Sequence, residues 1–343
     1  MKSIFLQLPN ALLPWYKENH RQLPWRENKD PYHIWLSEIM LQQTRVEAVR
    51  GYYVRFLETL PTIKALANAD DELLHKLWEG LGYYSRVRNL KKAAQVIERD
   101  YHGVFPRNHK DVLSLPGIGP YTAGAICSIA FNEPTPAVDG NVLRVIARLT
   151  DDDTPVDTPR FKSETERKLA EIYPAEAGEF TQALMELGAT VCGPNRAPDC
   201  DTCPCKAFCK GKYRGTELPA RLPKRGKREE ERTVFVVSCN GRYALTKRPE
   251  NGLLAGLWQF PDVSGSFSGQ SAIDKAHELG FAINNLIYEV EKVHIFTHIR
   301  WKMRGIYLQA AKETEDYEWL TAEEIRTKAA LPTAYRQFFN EER

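Results

Sequence analysis

No stretch of the sequence approaches the ~18–20 consecutive apolar residues that a membrane-spanning helix needs, so no membrane contact is expected. The opening MKSIFLQLPNALLPWYKENH has a short apolar segment with no signal-peptide cleavage site behind it, and a cytoplasmic location is the expectation. Internal repeats and low-complexity tracts are missing as well. Neither charge sign dominates, because the formal net charge is only +2, so the global balance says little about partners. Seven cysteines, an odd number in a chain without an export signal, argue against a disulfide framework.

What is present is enough for two or more domains: 343 residues, with the 43% hydrophobic content of an ordinary soluble globular protein. Residues 1–214 read as a helical domain. Apolar residues recur at three- and four-residue spacing over 33–46, 62–68, 70–81, 86–100, 109–115, 120–131, 141–150, 160–172 and 176–190. Asn108 suits a helix cap and Pro120 a first helical turn. Residues 215–231, containing GTELPARLPKRGKREEE, lose the apolar period and read as a linker. Beyond it, over 232–343, the period changes to two. TVFVVS and YALTKR flank Asn240-Gly241, a hairpin signal, and further strands fall at 286–293 and 300–310. Helices follow at 271–279, 321–329 (Thr321 and Glu324 as a capping box) and 333–340, which makes this domain α+β.

Five of the seven cysteines cluster in CGPNRAPDCDTCPCKAFC. Cys192, Cys200, Cys203 and Cys209 stand at C-x7-C-x2-C-x5-C, with Cys205 as an extra thiol; Cys127 and Cys239 read as small core residues. Four thiolates on a compact loop can hold a tetrahedral zinc or an iron–sulfur cluster, and the single x2 pair between longer gaps leans towards the cluster without deciding it. From Lys206 to Arg228 nine Lys/Arg face only Glu217, a local basic footprint that suits either a solvated linker or a polyanion.

Three further features bear on chemistry. LSLPGIGPYTAGAI, residues 113–126, places Gly117 and Gly119 in a tight turn between two helices, where backbone N–H groups can approach a phosphate. Asp139 immediately precedes the apolar helix of AVDGNVLRVIARL; it suits a helix cap, which also favours its ionised form. Glu38 sits inside WLSEIMLQQTRV, where desolvation would raise its pKa and keep a proton available near neutrality. Each also has a purely structural reading: a satisfied buried carboxyl, a cap and a helix–helix turn.

Together, LPWR (23–26), WLSEIMLQQT (35–44), LGYYSR (81–86), LPGIGPYTAGAI (115–126), VDGNV (138–142) and the four-cysteine loop resemble the helix-hairpin-helix DNA glycosylases, specifically the MutY adenine DNA glycosylases. TKRPENGLLAGLWQFP and HIFTHIRW resemble that family's Nudix-like recognition domain, so the likeness spans nearly the whole chain. The resemblance implies an all-α glycosylase domain plus an α+β Nudix-like domain. It implies removal of adenine mispaired with 8-oxoguanine or guanine from double-stranded DNA, by a monomer associated with the nucleoid in a bacterium; it names no protein partner.

By carry-over, Glu38 protonates the adenine ring at N7, and Asp139 stabilises the oxocarbenium-like sugar through a transient covalent adduct. Tyr121 and Asn141 line the same site, Arg26 and Gln182 lie near the flipped base, and Gln43 and Tyr83 enter the base stack. Phe296, Thr297 and His298 form the loop that meets 8-oxoguanine. Cys192, Cys200, Cys203 and Cys209 hold a [4Fe-4S] cluster. Two positions depart from the family: its first cysteine gap is usually six residues, here seven, and Thr297 replaces a common Ser while keeping a hydroxyl.

Three rival readings differ in their residue requirements. A bifunctional endonuclease III-like glycosylase/lyase needs a lysine where this chain has Tyr121. A Nudix pyrophosphohydrolase needs the Arg-Glu-x-x-Glu-Glu pattern for Mg²⁺, whereas AIDKAHELGF offers only Asp274 and Glu278. A cluster-bearing DNA-binding protein without catalysis would make Glu38 and Asp139 dispensable.

Overall fold

The computed structural model describes residues 4–194, 196–223 and 226–339, so Lys224 and Arg225 of the basic run and Asn340 of the last helix lie outside the described residues. Two compact units divide the chain. Asn89–Pro223 joins the chain up to Asn68, and Ala69–Arg88 joins the chain beyond Pro223.

The first unit is helical. Its elements are α1 (Ile4–Asn19), a 3₁₀ turn (Pro24–Arg26), α2 (Pro31–Leu41), α3 (Val46–Thr59) and α4 (Ile63–Asn68); α5 (Asp71–Leu77) belongs to the second unit. Then follow α6 (Ser85–Asp100), whose first residues belong to the 69–88 segment, α7 (His109–Ser114), α8 (Pro120–Phe131), α9 (Gly140–Thr150), α10 (Pro159–Ala170) and α11 (Ala177–Thr190). One core cluster joins Phe5, Leu8 and Leu12 of α1 to Val142, Val145 and Ile146 of α9 and Phe180, Leu184 and Leu187 of α11.

α2 is capped by Asp30, whose Oδ1 accepts from Tyr32 N at 2.8 Å, and Pro31 supplies its first turn. Every residue from Ile34 to Met40 is buried, Glu38 included. The sequence predicts this helix to run to 46. It stops at Leu41 because Gln42 leaves helical geometry (φ −57°, ψ 112°) and Gln43 is left-handed (φ 56°). The sequence reading also passes over α1, whose Pro9 and Pro14 look like helix breakers, and α3, whose start it absorbs into α2.

In the second unit a mixed sheet has the strand order β3-β2-β1-β6-β5. Its strands are β1 (Arg228–Cys239), β2 (Arg242–Lys247), β3 (Trp258–Gln259), β4 (Asp262–Ser264), β5 (Ile283–Ile295), β6 (Ile299–Ala310) and β7 (Glu318–Thr321). Thus β1 starts inside the stretch read as linker, and β3, β4 and β7 are too short to show a period. β1 pairs β6 in parallel and β2 antiparallel across Asn240-Gly241, both with positive φ (49° and 77°), as the hairpin signal requires.

Alternation along β1 sends Val234 and Val236 to one face, against α13 (Ala322–Thr327) and α14 (Thr333–Phe339). Phe235 and Val237 go to the other, against α12 (Gly269–Glu278). Helices therefore cover both faces of the sheet.

Candidate active site and recognition groove

Glu38 meets its partner through a close helix packing. A Cβ on Gly124 of α8 would lie 2.1 Å from the Pro136 carbonyl oxygen, so only glycine lets the 136–139 segment cross this helix so tightly. That crossing leads directly to Asp139. Tyr121, at the start of α8, donates its hydroxyl to Glu38 Oε2 at 2.7 Å. Burial pushes the Glu38 carboxyl up to about 7 from its ordinary 4.5; the Tyr121 hydrogen bond and Arg26 oppose this, and the Asp139 charge adds to it.

Asp139 caps α9. Its Oδ1 accepts from Asn141 N (2.9 Å) and Val142 N (2.8 Å), and its Oδ2 from Asn141 Nδ2 (2.7 Å). Capping alone suggests a lowered pKa. The net direction is upward instead, because burial outweighs these donors and Arg144. Both oxygens nonetheless receive N–H groups, the arrangement that favours a carboxylate.

A cleft of about 730 Å³ gathers Glu38, Tyr121, Asp139 and Asn141 with Arg26, Gln182 and Gln43 on its walls. Two residues that the sequence reading did not single out support it. Glu186 of α11, whose side chain is fully buried, accepts from Arg21 Nε (2.7 Å), Arg21 N (3.1 Å), Arg21 Nη2 (3.0 Å) and Arg26 Nη2 (2.8 Å). Burial pushes Glu186 up, but these arginines hold it below its ordinary value. The signal was available, since ALMELGA embeds a carboxylate in an apolar run just as WLSEIML does. Arg144 donates to Asn141 Oδ1 (2.9 Å), Gly188 O (2.8 Å) and Cys192 O (3.0 Å), and so ties the Asp139 cap to the start of the cysteine loop.

Cys192, Cys200, Cys203 and Cys209 line one small pocket with Arg148, which donates to Cys192 Sγ at 3.3 Å. Cys205 does not line that pocket; it is fully buried in the helical core, where its thiol meets that of Cys203. Among the described residues no group of three or more His, Cys, Asp or Glu has the geometry of a metal-ion site. The donor chemistry, four soft thiolates around one pocket, fits an iron–sulfur cluster or zinc. Cys127 and Cys239 are buried singly.

The turn between α7 and α8 uses its glycines unequally. Gly117 is left-handed (φ 77°), and a Cβ there would lie 2.5 Å from Asn89 Cβ. Gly119 caps α8 at φ −97°, a backbone any residue adopts, with open space where its Cβ would be.

The remaining sequence-singled residues lie in the second unit. Tyr83, Phe296, Thr297 and His298 line a groove of about 450 Å³ with Arg88, His294 and residues 252–255. The β5–β6 turn is held by Phe296 N donating to Ile299 O (2.8 Å) and by edge-on packing of Phe296 on Trp301 (centroids 4.8 Å). The Tyr83 and Thr297 hydroxyls are 2.9 Å apart. Gln43 and Tyr83 are both non-glycine residues at positive φ (56° and 48°), a strain that recurs at functional sites.

Residues 36–175 match the HhH-GPD superfamily of base excision DNA repair proteins, and residues 233–341 match the NUDIX domain. An adenine DNA glycosylase of Rattus norvegicus is 35% identical over 96% of this chain and 76% of its own length. One of Schizosaccharomyces pombe is 32% identical over 92% and 85%. The chain belongs to the adenine DNA glycosylases. An adenine DNA glycosylase of Arabidopsis thaliana is 38% identical over 89% of this chain, which spans 58% of that relative's length. Among solved structures, a thermostable thymine-DNA glycosylase superposes with a TM-score of 0.56 at 27% identity, covering 62% of this chain and 97% of the other. A trapped endonuclease III–DNA covalent intermediate gives 0.51 at 27%, covering 62% and 99%. This adenine DNA glycosylase family member thus joins a helix-hairpin-helix glycosylase unit to a Nudix-like α+β unit.

Proposed function

We propose that the chain excises adenine paired with 8-oxoguanine or guanine in double-stranded DNA, as a monofunctional hydrolase. The observation that carries this reading is Glu38: a buried carboxyl that titrates near 7, within reach of a tyrosine hydroxyl, in a cleft shared with a capped aspartate. A group at that pKa is an efficient proton donor at neutral pH. Glu38 gives its proton to adenine N7, the C1′–N9 bond breaks with its electron pair leaving on the neutral base, and positive charge develops on the sugar. Asp139, fixed by three N–H donors, faces that charge and forms the transient adduct that water hydrolyses.

The target nucleotide must leave the stack to reach this cleft. Gln43 and Tyr83, each held in a left-handed backbone, enter the base stack near the lesion, and Arg26 and Gln182 contact the extruded adenine. Phe296, Thr297 and His298 read the opposite base. Gly117 and Gly119 present backbone N–H groups to a DNA phosphate. Cys192, Cys200, Cys203 and Cys209 are the residues that would hold a [4Fe-4S] cluster, which when bound crosslinks the 192–209 loop beside α9.

A lyase would need an amine nucleophile, and the described residues lining the cleft include no lysine. Product analysis tests the reading. Free adenine and an abasic strand that breaks only after alkali are expected, with negligible borohydride-trapped protein–DNA adduct; abundant trapping would contradict monofunctional hydrolysis.

A further inference from the structure

Tyr83 is held at the tip of an unusual turn. Between α5 and α6, Gly80 (φ 99°), Gly82 (φ 72°) and Tyr83 (φ 48°) are all left-handed. The turn is braced from within: Trp78 Nε1 donates to Gly82 O at 3.1 Å, and Arg86 Nη2 donates to Leu81 O at 3.1 Å and Gly82 O at 3.0 Å. A non-glycine residue at such a φ costs about 1–3 kcal/mol and persists only where its surroundings over-determine it.

Those surroundings belong to the C-terminal unit. Glu79, at the base of the turn and with a side chain only 12% exposed, accepts from Leu331 N (Oε1, 3.0 Å) and from Lys76 Nζ (Oε2, 2.7 Å), and pairs with Arg336 Nη1 at 3.7 Å. Lys76 Nζ also donates to Ala329 O at 3.4 Å. Farther along, Glu72 pairs with Lys247 and Arg88 Nη1 donates to Ala255 O at 2.7 Å. At the tip the Tyr83 hydroxyl meets Thr297 Oγ1. The chain therefore enters this unit at Ala69 and leaves it at Arg88, carrying Tyr83 with it.

We propose that Glu79 is a positioning residue for opposite-base recognition: it fastens the base of the 80–83 turn to residues 329–336, so that the Tyr83 and Thr297 hydroxyls meet the opposite base as one prearranged pair. This rests on the reading above, in which Tyr83 enters the base stack near the lesion and the 296–298 loop reads the opposite base. Prearrangement lowers the ordering cost of the specific complex and does nothing for the bond-breaking step itself. Glu79 touches neither DNA nor the reacting atoms.

The test uses the full chain and duplexes carrying a non-hydrolysable 2′-fluoro-deoxyadenosine opposite 8-oxoguanine or guanine, with single-turnover excision from ordinary adenine duplexes measured at saturating enzyme. Glu79→Ala is expected to lower the affinity preference for 8-oxoguanine over guanine on the order of tenfold, as lost preorganisation does, with saturating excision opposite guanine unchanged. Glu79→Gln keeps an acceptor for Leu331 N–H but loses both ion pairs; it is expected to fall between, and it decides the matter if the alanine variant does not fold. An unchanged preference in a folded variant, or equal weakening on both duplexes, would overturn the proposal. A native chain with no preference between the two bases would overturn the recognition reading and the proposal with it.

Discussion

The Tyr121 hydroxyl lies 2.7 Å from Glu38 Oε2, between residues 83 positions apart in the sequence. This hydrogen bond favours the charged form of a carboxyl that burial otherwise drives towards the neutral one. Tyr121→Phe is therefore expected to raise the Glu38 pKa above about 7. If Glu38 is the acid as proposed, excision requires its protonated form, so the native rate should fall as pH rises through about 7, and the phenylalanine variant should hold its rate to higher pH. Single-turnover rates across the pH range, for both proteins, check the sign.

Glu38 also makes stability depend on pH. Its folded pKa of about 7 exceeds its ordinary 4.5, so its contribution is fully present below pH 4.5 and is lost as pH rises through 7. Above that, the fold carries a buried carboxylate at a cost of about 3 kcal/mol, from roughly 1.4 kcal/mol per pKa unit. Glu38→Gln removes that cost. The variant is expected to exceed the native chain in melting temperature at pH 8, and to do so much less at pH 5.

Glu186 is the buried anion that Arg21 and Arg26 share. Glu186→Ala strands both guanidinium groups beside the cleft, and breaking a buried pair this way typically costs about 3–5 kcal/mol. Urea unfolding should register a loss of that order. Because Arg26 then lacks its anchor, adenine affinity should weaken as well, read as a rise in the enzyme concentration needed for half-maximal single-turnover rate.

Gly124→Ala is expected to be more damaging than Gly119→Ala. The first would drive a methyl to 2.1 Å from a backbone oxygen, displacing the segment that delivers Asp139; the second enters open space at an ordinary φ. Circular-dichroism melting of the two variants gives the comparison, and Gly119→Ala should stay within about 1 kcal/mol of the native chain, as such a surface change does.

Much of this was legible because it is local. Proline and asparagine punctuation at Pro120 and Asn108 marks the starts of α8 and α7, and Asn240-Gly241 fixes the β1–β2 hairpin. Glu38 stood out through the conflict between its charge and its apolar neighbours. What escaped was long-range. Whether Asp139 sits above or below its ordinary pKa depends on how deeply the folded chain buries it, and no cap signal contains that. Glu186 carried the same signature as Glu38, but its role is defined by arginines 160 and 165 positions away. The grouping of Ala69–Arg88 with the C-terminal unit leaves no periodic trace, since α5 is an ordinary short helix.

The central claim is that Glu38 is the acid that releases adenine opposite a damaged or mispaired guanine. The most direct measurement is single-turnover base release from duplexes carrying adenine opposite 8-oxoguanine, guanine or thymine, for the native chain and Glu38→Gln. Fast release opposite 8-oxoguanine, slow or absent release opposite thymine, and a fall of about 10²–10⁴-fold in the variant, the usual share of a general acid, are expected. Retained excision in a folded Glu38→Gln protein, or adenine left in place in every duplex by a native chain that still binds DNA, would contradict it.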